Sequence, residues 1–166
     1  RNNVMVTVEE LLEEVGADSC RFTFLSRSPE SHMEFDLGLA KTQSSENPVY
    51  YVQYGHARMA SILRTAADRE IMYESADLSL QSHDRELEVN RKIIERPAVV
   101  ERSAERLEPH HLPHYAMELA RSLQRFYEDC RVVSSEEGEL EISRARLQLV
   151  EAAKIALSRT LTLMGM

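Results

Sequence analysis

The most regular apolar pattern in the chain runs through its second half. Apolar side chains recur there every three or four positions, at Leu112, Ala116, Leu119, Leu123, Phe126 and Cys130. This spacing places all of them on one side of an α-helix, so it predicts a long amphipathic helix opened by Pro113. The partner of such a face must be another helix.

A second long helix is predicted over residues 48–68. Asn47 is a favourable N-cap, and Pro48 suits the first helical position, where its missing N–H would have no intrahelical partner anyway. The inward stripe of this helix is Val52, Met59, Ile62, Leu63 and Ala66. The two predicted helices therefore offer apolar faces to each other.

Residues 84–109 predict two further helices separated by a proline. The first has an inward row of Leu87, Asn90 and Ile94, whereas Glu86 is expected in solvent. Arg96-Pro97 predicts the start of a second, shorter helix, which Pro109 ends. Its inward row is Val100, Ala104 and Leu107.

The last helix is predicted to start at Ser143, a good N-cap residue. Its inward row is Leu147, Val150, Leu157, Leu161 and Met164. It has a local excess of positive charge, because four bases accompany the single acid Glu151. These bases are Arg144, Arg146, Lys154 and Arg159.

The first 46 residues have a weaker pattern. Thr7 and Glu10 form a capping box, Gly16 is placed to end that helix in a left-handed turn, and Asp18 can cap a second short helix. Residues 32–37 alternate apolar and polar side chains, a pattern that alone indicates a short strand, and we take this segment as extended. The predicted fold class is all-α, with a helical bundle over 47–166 preceded by a short helical and extended connector over 1–46.

One face of the 48–68 helix carries candidate binding chemistry. Tyr51, Tyr54 and Arg58 follow each other at i, i+3 and i+7. Unstacked nucleic-acid bases can lie on tyrosine rings, and the arginine can bind a phosphate. The alternative is that these tyrosines pack at a helix junction, with apolar rings inside and wet hydroxyls, and that Arg58 pairs with a carboxylate.

The chain is acidic, with a formal net charge of −8, which argues against a general nucleic-acid binder. Residues 1–47 contribute a net charge of −5 and residues 48–166 one of −3, so more than half of the net negative charge lies outside the predicted bundle. A local positive face can still bind phosphate, in a salt-sensitive way. Cys20 and Cys130 form no metal or redox spacing, so both are expected to be small packed residues in a reduced setting.

A histidine cluster precedes the long amphipathic helix. His110, His111 and His114 lie close in sequence, and Glu118 follows His114 at the i, i+4 spacing of a metal pair. No H-E-x-x-H pattern is present, so exposed or capping histidines are favoured and no metal is predicted. No G-x-S-x-G or similar context supports a hydrolase either.

The segment around the tyrosines resembles a known family. Residues 47–58 read N-P-V-Y-Y-V-Q-Y-G-H-A-R and are similar to the Y-V-Q-Y-A-H-A-R signature that opens the anticodon-binding domain of arginyl-tRNA synthetases, with Gly55 in place of the usual Ala. Segments at 7–18, 24–37, 95–110 and 125–132 also occur in family order. Nothing resembles the H-I-G-H or K-M-S-K-S motifs of a class I catalytic domain. The resemblance therefore implies a C-terminal fragment without catalytic residues.

The resemblance implies a role in protein biosynthesis. The whole ligase joins arginine to its tRNA with ATP and magnesium, while the fragment binds no cofactor and holds the anticodon stem and loop. Tyr127, in a segment similar to F-Y-x-x-C-R-V, is expected to help receive that loop. Gln53 and His56 lie in the signature, where they either contact tRNA or hold helices together. The implied partners are arginine tRNA and the absent N-terminal catalytic domain, in the cytoplasm, without membrane or DNA.

A different hypothesis assigns the tyrosine face to a helical protein-interaction module with no RNA role. The acidity of the chain favours this hypothesis, whereas the ordered family segments oppose it.

Overall fold

The computed structural model describes residues 6–28, 30–136 and 138–166. Six α-helices and one 3-10 turn account for the secondary structure of these residues, which contain no strand. The helices are α1 (Val8–Leu25), α2 (Leu37–Lys41), α3 (Pro48–Asp68), α4 (Asp84–Arg106), α5 (His111–Asp129) and α6 (Leu140–Leu163), and the 3-10 turn is Leu78–Leu80. The all-α prediction is confirmed. Within the described residues, no helix has both the length and the apolar composition needed to cross a membrane.

Helices α3 to α6 pack around one apolar core. Helix α5 lies against both α4 and α3, and α6 closes the remaining side against α3 and α4. The side chains at the centre are fully buried and come from three of these helices: Val52, Met59, Leu119, Leu123, Phe126, Leu147 and Leu157. The stripes predicted for α3, α5 and α6 are the ones that meet in this core.

The start of α3 follows the prediction. The side-chain oxygen of Asn47 accepts hydrogen bonds from the backbone N–H groups of Val49 and Tyr50, at 3.1 and 3.4 Å. Its amide nitrogen donates to the carbonyl oxygens of Ala40 and Thr42. One buried asparagine therefore caps α3 and ties the preceding chain to it.

Helix α4 corrects the prediction of two helices. It continues through Pro97, and its buried side chains include Val89 and Val99, whereas Ile94 is 75% exposed and Leu107, with a left-handed backbone, is 81% exposed. Proline removes a helical N–H and usually breaks a helix. Pro97 has no N–H to donate to the carbonyl of Ile93, four residues earlier. The hydroxyl of Tyr115 on α5 donates to the neighbouring carbonyl, that of Lys92, at 2.9 Å. This contact between helices supports α4 where its own ladder is interrupted.

Glu86 is not solvated, as the pattern suggested, but fully buried. Its carboxylate accepts a hydrogen bond from Nε of Arg146 at 2.6 Å and another from the backbone N–H of His83 at 2.9 Å. An ionised group can be buried only with such partners. The true inward row of α4 therefore begins with a charged residue, which shifted the predicted row by one position.

Two other predicted boundaries were wrong. Helix α6 begins at Leu140, and Ser143 is buried inside it, where Oγ accepts the backbone N–H of Ser134 at 2.9 Å. Leu37 does not end an extended segment but starts the short helix α2, whose N-cap is Asp36. In α1, the capping box of Thr7 and Glu10 is present, and Gly16 interrupts the helix with φ 82° and ψ 161°, as its sequence position indicated.

Candidate functional site

Tyr54 presents the most accessible aromatic surface on α3. Its side chain is 52% exposed, and its ring stacks on that of Tyr50, with centroids 6.0 Å apart and planes 13° from parallel. Helical spacing predicted Tyr54 on one face with Tyr51, and Tyr50 was not among the predicted site residues. The i, i+4 spacing of Tyr50 and Tyr54 was the available signal, since such residues are neighbours on a helix. The pair forms a stacked aromatic surface open to solvent.

Tyr51 belongs to the packing between helices. Its ring is half-buried against the core. Burial raises the pKa of its hydroxyl, and the charges of Arg121 and Arg125 on α5 act in the opposite direction. Tyr51 therefore lies close to two arginines but offers less free ring surface than Tyr54.

Arg58 and Tyr127 come together between α3 and α5. The guanidinium carbon of Arg58 lies 5.0 Å from the centroid of the Tyr127 ring, within cation–π distance. Nη1 of Arg58 also donates to Oε1 of Gln124 at 3.3 Å. Arginine has five N–H donors, so most remain available after this contact. Arg58, expected from helical spacing, and Tyr127, expected from the family resemblance, thus form one unit with Gln124, which was not among the predicted residues.

Tyr127 lies beneath Arg58 and is largely inaccessible. Burial raises the pKa of its hydroxyl, while the positive charge of Arg58 lowers it. The hydroxyl oxygen is buried and has no hydrogen-bond partner among the described residues. This environment suits a ring that supports Arg58 rather than one on which a base could lie.

Gln53 and His56 point to other neighbours. Nε2 of Gln53 donates to a carboxylate oxygen of Asp18 at 2.7 Å, which links α3 to α1. His56 is half-buried, and burial, followed by the charge of Lys154 on α6, lowers its pKa. Gln53 therefore links α3 to α1 through a hydrogen bond that is exposed rather than buried, and a contact of Gln53 with tRNA stays a prediction.

The charges near this surface are unevenly compensated. Arg125 pairs with Glu88, and Arg85 pairs with both Glu88 and Asp129 at 3.2 and 2.8 Å. Arg121 is exposed and makes no ion pair within the described part of the chain. On α6, Arg146 forms an ion pair with Glu86, and Arg144 forms one with Glu141. Of the four bases expected to give this helix its positive charge, Lys154 and Arg159 remain without an ion pair among the described residues. Arg58, like Arg121, has no ion pair among the described residues, so both leave positive charge beside the tyrosines.

The site can bind a flat ring and an anion side by side. Tyr54 and Arg58 are one helical turn apart, so an aromatic platform and a fixed guanidinium occupy neighbouring positions on α3. No cofactor is needed for such recognition, which rests on stacking and charge-assisted hydrogen bonds.

Comparison with known proteins gives a consistent answer. Residues 52–166 match the DALR anticodon binding domain family. The arginine–tRNA ligase of Dehalococcoides mccartyi strain CBDB1 is 53% identical over the whole chain, which spans 29% of that relative. The arginine–tRNA ligase of Carboxydothermus hydrogenoformans is 44% identical over 99% of the chain and 30% of its own length. The chain thus spans less than a third of these curated relatives.

Solved structures show the same likeness. A Campylobacter jejuni protein described as an arginyl-tRNA synthetase matches all of the chain and 36% of its own length, with a TM-score of 0.84 and 25% identity. The arginyl-tRNA synthetase of Thermus thermophilus matches 99% of the chain and 28% of its own length, with a TM-score of 0.75 and 29% identity.

Proposed function

The chain belongs to the DALR anticodon binding domain family, and we propose that it binds the anticodon stem and loop of arginine tRNA as part of an arginine–tRNA ligase. The observation that carries this proposal is that Tyr54 and Arg58 lie one helical turn apart on the same face of α3. An exposed, stacked tyrosine next to an arginine held over another aromatic ring supplies both contacts that unpaired RNA requires, a stacking surface and a phosphate ligand.

The six residues expected at the site take different parts in this proposal. Tyr54 stacks on a loop base, and Arg58 binds the adjacent backbone phosphate. Tyr51 and Tyr127 hold the shape of the surface, because both rings are substantially buried. Gln53 orients α3 through its bond to Asp18, and His56 lines the side that faces α6.

The acidity of the chain is compatible with this function because the contacts are local. Arg121 is exposed near Tyr51 and is a candidate for a second phosphate contact. Few phosphate contacts on a protein of charge −8 give modest binding that weakens as salt rises. Specificity then depends on the shape of the loop and on stacked bases rather than on a broad basic surface.

The proposal extends to the whole ligase. Attachment of arginine, with ATP and magnesium, is assigned to a catalytic domain outside this chain, and the chain by itself is expected to have no catalytic activity. The bundle over 47–166 provides the anticodon contacts, and the connector over 1–46 joins it to the catalytic domain. The setting is the cytoplasm, where tRNA is charged.

Fluorescence anisotropy with a labelled anticodon hairpin of arginine tRNA tests the proposal. Tyr54→Ala removes the stacking platform and is expected to weaken binding by about 1–3 kcal/mol with little change in the salt dependence. Tyr54→Phe keeps the ring and should bind nearly as the parent does. Arg58→Ala should weaken binding and reduce the slope of log affinity against log salt by about one unit.

Arg64→Ala is the matched control for Arg58→Ala. Arg64 is an exposed arginine on the same helix, so this substitution makes the same change in net charge away from the aromatic surface. Equal losses for Arg58→Ala and Arg64→Ala would show that only overall charge matters. If all variants melt like the parent and Tyr54→Ala and Arg58→Ala bind the hairpin as tightly as the parent, the surface contacts protein instead.

A further inference from the structure

Three histidines and a glutamate gather at the corner between α4 and α5. The rings of His110 and His111 have centroids 4.4 Å apart, and the ring of His114 lies 5.9 Å from that of His110. Nε2 of His111 donates to a carboxylate oxygen of Glu108 at 2.9 Å. This histidine corner (Glu108, His110, His111 and His114) is separate from the tyrosine surface and has no part in the proposed RNA contacts.

A capping role does not account for His110. His110 occupies the N-cap position of α5, yet its side chain makes no capping hydrogen bond. Its Nδ1 is buried and has no hydrogen-bond partner within the described ranges. Buried polar nitrogens almost always have a partner, so a nitrogen without one is compatible with an unplaced ligand. The expected capping role is therefore wrong for His110.

The pair suggested by sequence spacing, His114 with Glu118, is not the one that the fold assembles. The carboxylate of Glu118 accepts a hydrogen bond from Nζ of Lys92 on α4. Instead, the turn between α4 and α5 brings Glu108 back towards the first residues of α5. Ligand atoms of Glu108, His110 and His111 all lie within 4.8 Å of one another.

We propose that Glu108, His110 and His111 bind one divalent transition metal ion of the zinc class. Two imidazoles and one carboxylate are donors that Zn²⁺ accepts, and a fourth position stays open for water. The carboxylate of Glu108 already lies 2.9 Å from Nε2 of His111, so two of the three donor groups are adjacent before a metal binds. A metal bound at Nε2 of His111 takes the place of the hydrogen bond to Glu108, and the neutral imidazole then carries its single proton on Nδ1.

The metal would join the end of one helix to the start of the next. Helix α4 ends at Arg106, and Glu108 comes just after its left-handed C-cap residue, Leu107. His111 is the first residue of α5. Because a metal that binds only the folded chain stabilises it, Zn²⁺ should raise the melting temperature. This inference does not depend on the proposed RNA function.

Calorimetric titration of the metal-stripped protein with Zn²⁺ tests the site, and the visible absorption of bound Co²⁺ reports its geometry. We expect one ion per chain and a loss of affinity of about tenfold or more in His110→Ala and in His111→Ala, at least the loss seen for outer partners of metal ligands. Glu108→Gln keeps the shape of the side chain and should cause a comparable loss, even if a histidine variant folds poorly.

His32→Ala is the matched control, since it removes an exposed histidine that lies outside the corner. Unchanged binding in this variant, together with loss in the other three, supports the site. The proposal is overturned if Zn²⁺ does not bind or raise the melting temperature of the parent. It is equally overturned if Glu108→Gln and a folded histidine variant bind as the parent does, because the ion would then lie elsewhere.

Discussion

The connector and the bundle bury their apolar side chains to different extents. In the bundle, α5 alone hides nine of its nineteen side chains, and Phe126 and Leu119 are wholly inaccessible. In the connector, α1 buries Leu11, Cys20 and Phe22, but Val8, Leu12 and Phe24 stay exposed. The core of the bundle comes almost entirely from its own helices, with Phe22 of α1 packed into it, whereas part of the apolar surface of α1 has no cover within the described residues.

The connector is attached to the bundle at a few points. Gln53 donates to Asp18, the guanidinium of Arg21 donates to the carbonyl of Gly165, and Asn47 bonds the chain before α3. Polar contacts in partly exposed positions contribute little to stability, since water competes for them. This difference shows that helix formation alone does not make a region stable, because a helix gains most of its stability from apolar side chains buried against several neighbouring helices.

Amide hydrogen exchange should reveal the largest difference between the two regions. Amides of α1 and α2 are expected to exchange through local opening, whereas those at the centre of α5 should need global unfolding, which typically costs about 5–15 kcal/mol. Mass spectrometry of exchanged peptides measures this directly. Protection of Val8–Leu25 equal to that of α5 would show that the two regions unfold as one.

Paired phenylalanine substitutions measure the same difference in stability. Phe126→Ala empties a fully buried site and should cost about 3–5 kcal/mol. Phe24→Ala, at a position 43% exposed and beside Phe35, should change the free energy of unfolding of the bundle by less than about 1 kcal/mol. Urea unfolding followed by circular dichroism gives both values, and similar losses would contradict the comparison.

A pair of glycine substitutions should have smaller effects than Phe126→Ala, with opposite signs. Gly16 has φ 82°, so Gly16→Ala strains the connector by about 1–3 kcal/mol. At Gly55, a Cβ would lie 3.6 Å from that of Ala120, an ordinary contact, so Gly55→Ala should stabilise the bundle by about 0.4–1 kcal/mol.

The two glycine variants should also differ in where their effects are observed. Gly16→Ala should accelerate exchange within α1 and leave the urea midpoint of the bundle nearly unchanged, whereas Gly55→Ala should raise that midpoint. A lower midpoint for Gly55→Ala would mean that α3 and α5 cannot accommodate the methyl group.

Much of this architecture follows from local sequence. Asn47-Pro48 determines where α3 begins, because the cap and the fixed proline angle act within one turn. The stripes of α3, α5 and α6 were visible because apolar residues repeat at the helical period. The capping box at Thr7 and the break at Gly16 are local for the same reason.

Contacts between distant residues decided the rest. Pro97 stays inside α4, where the nearby carbonyl of Lys92 accepts a hydrogen bond from Tyr115 of α5. Glu86 is buried because Arg146 of α6 pairs with it, and Ser143 bonds Ser134 instead of capping a helix. The candidate site shows the same division. Local spacing indicated Tyr54 and Arg58, but only the packing of α3 against α5 set Arg58 over Tyr127. Helix periodicity records which side of a helix is apolar, whereas the partner of a polar side chain depends on which helices meet, and that is a property of the folded chain alone.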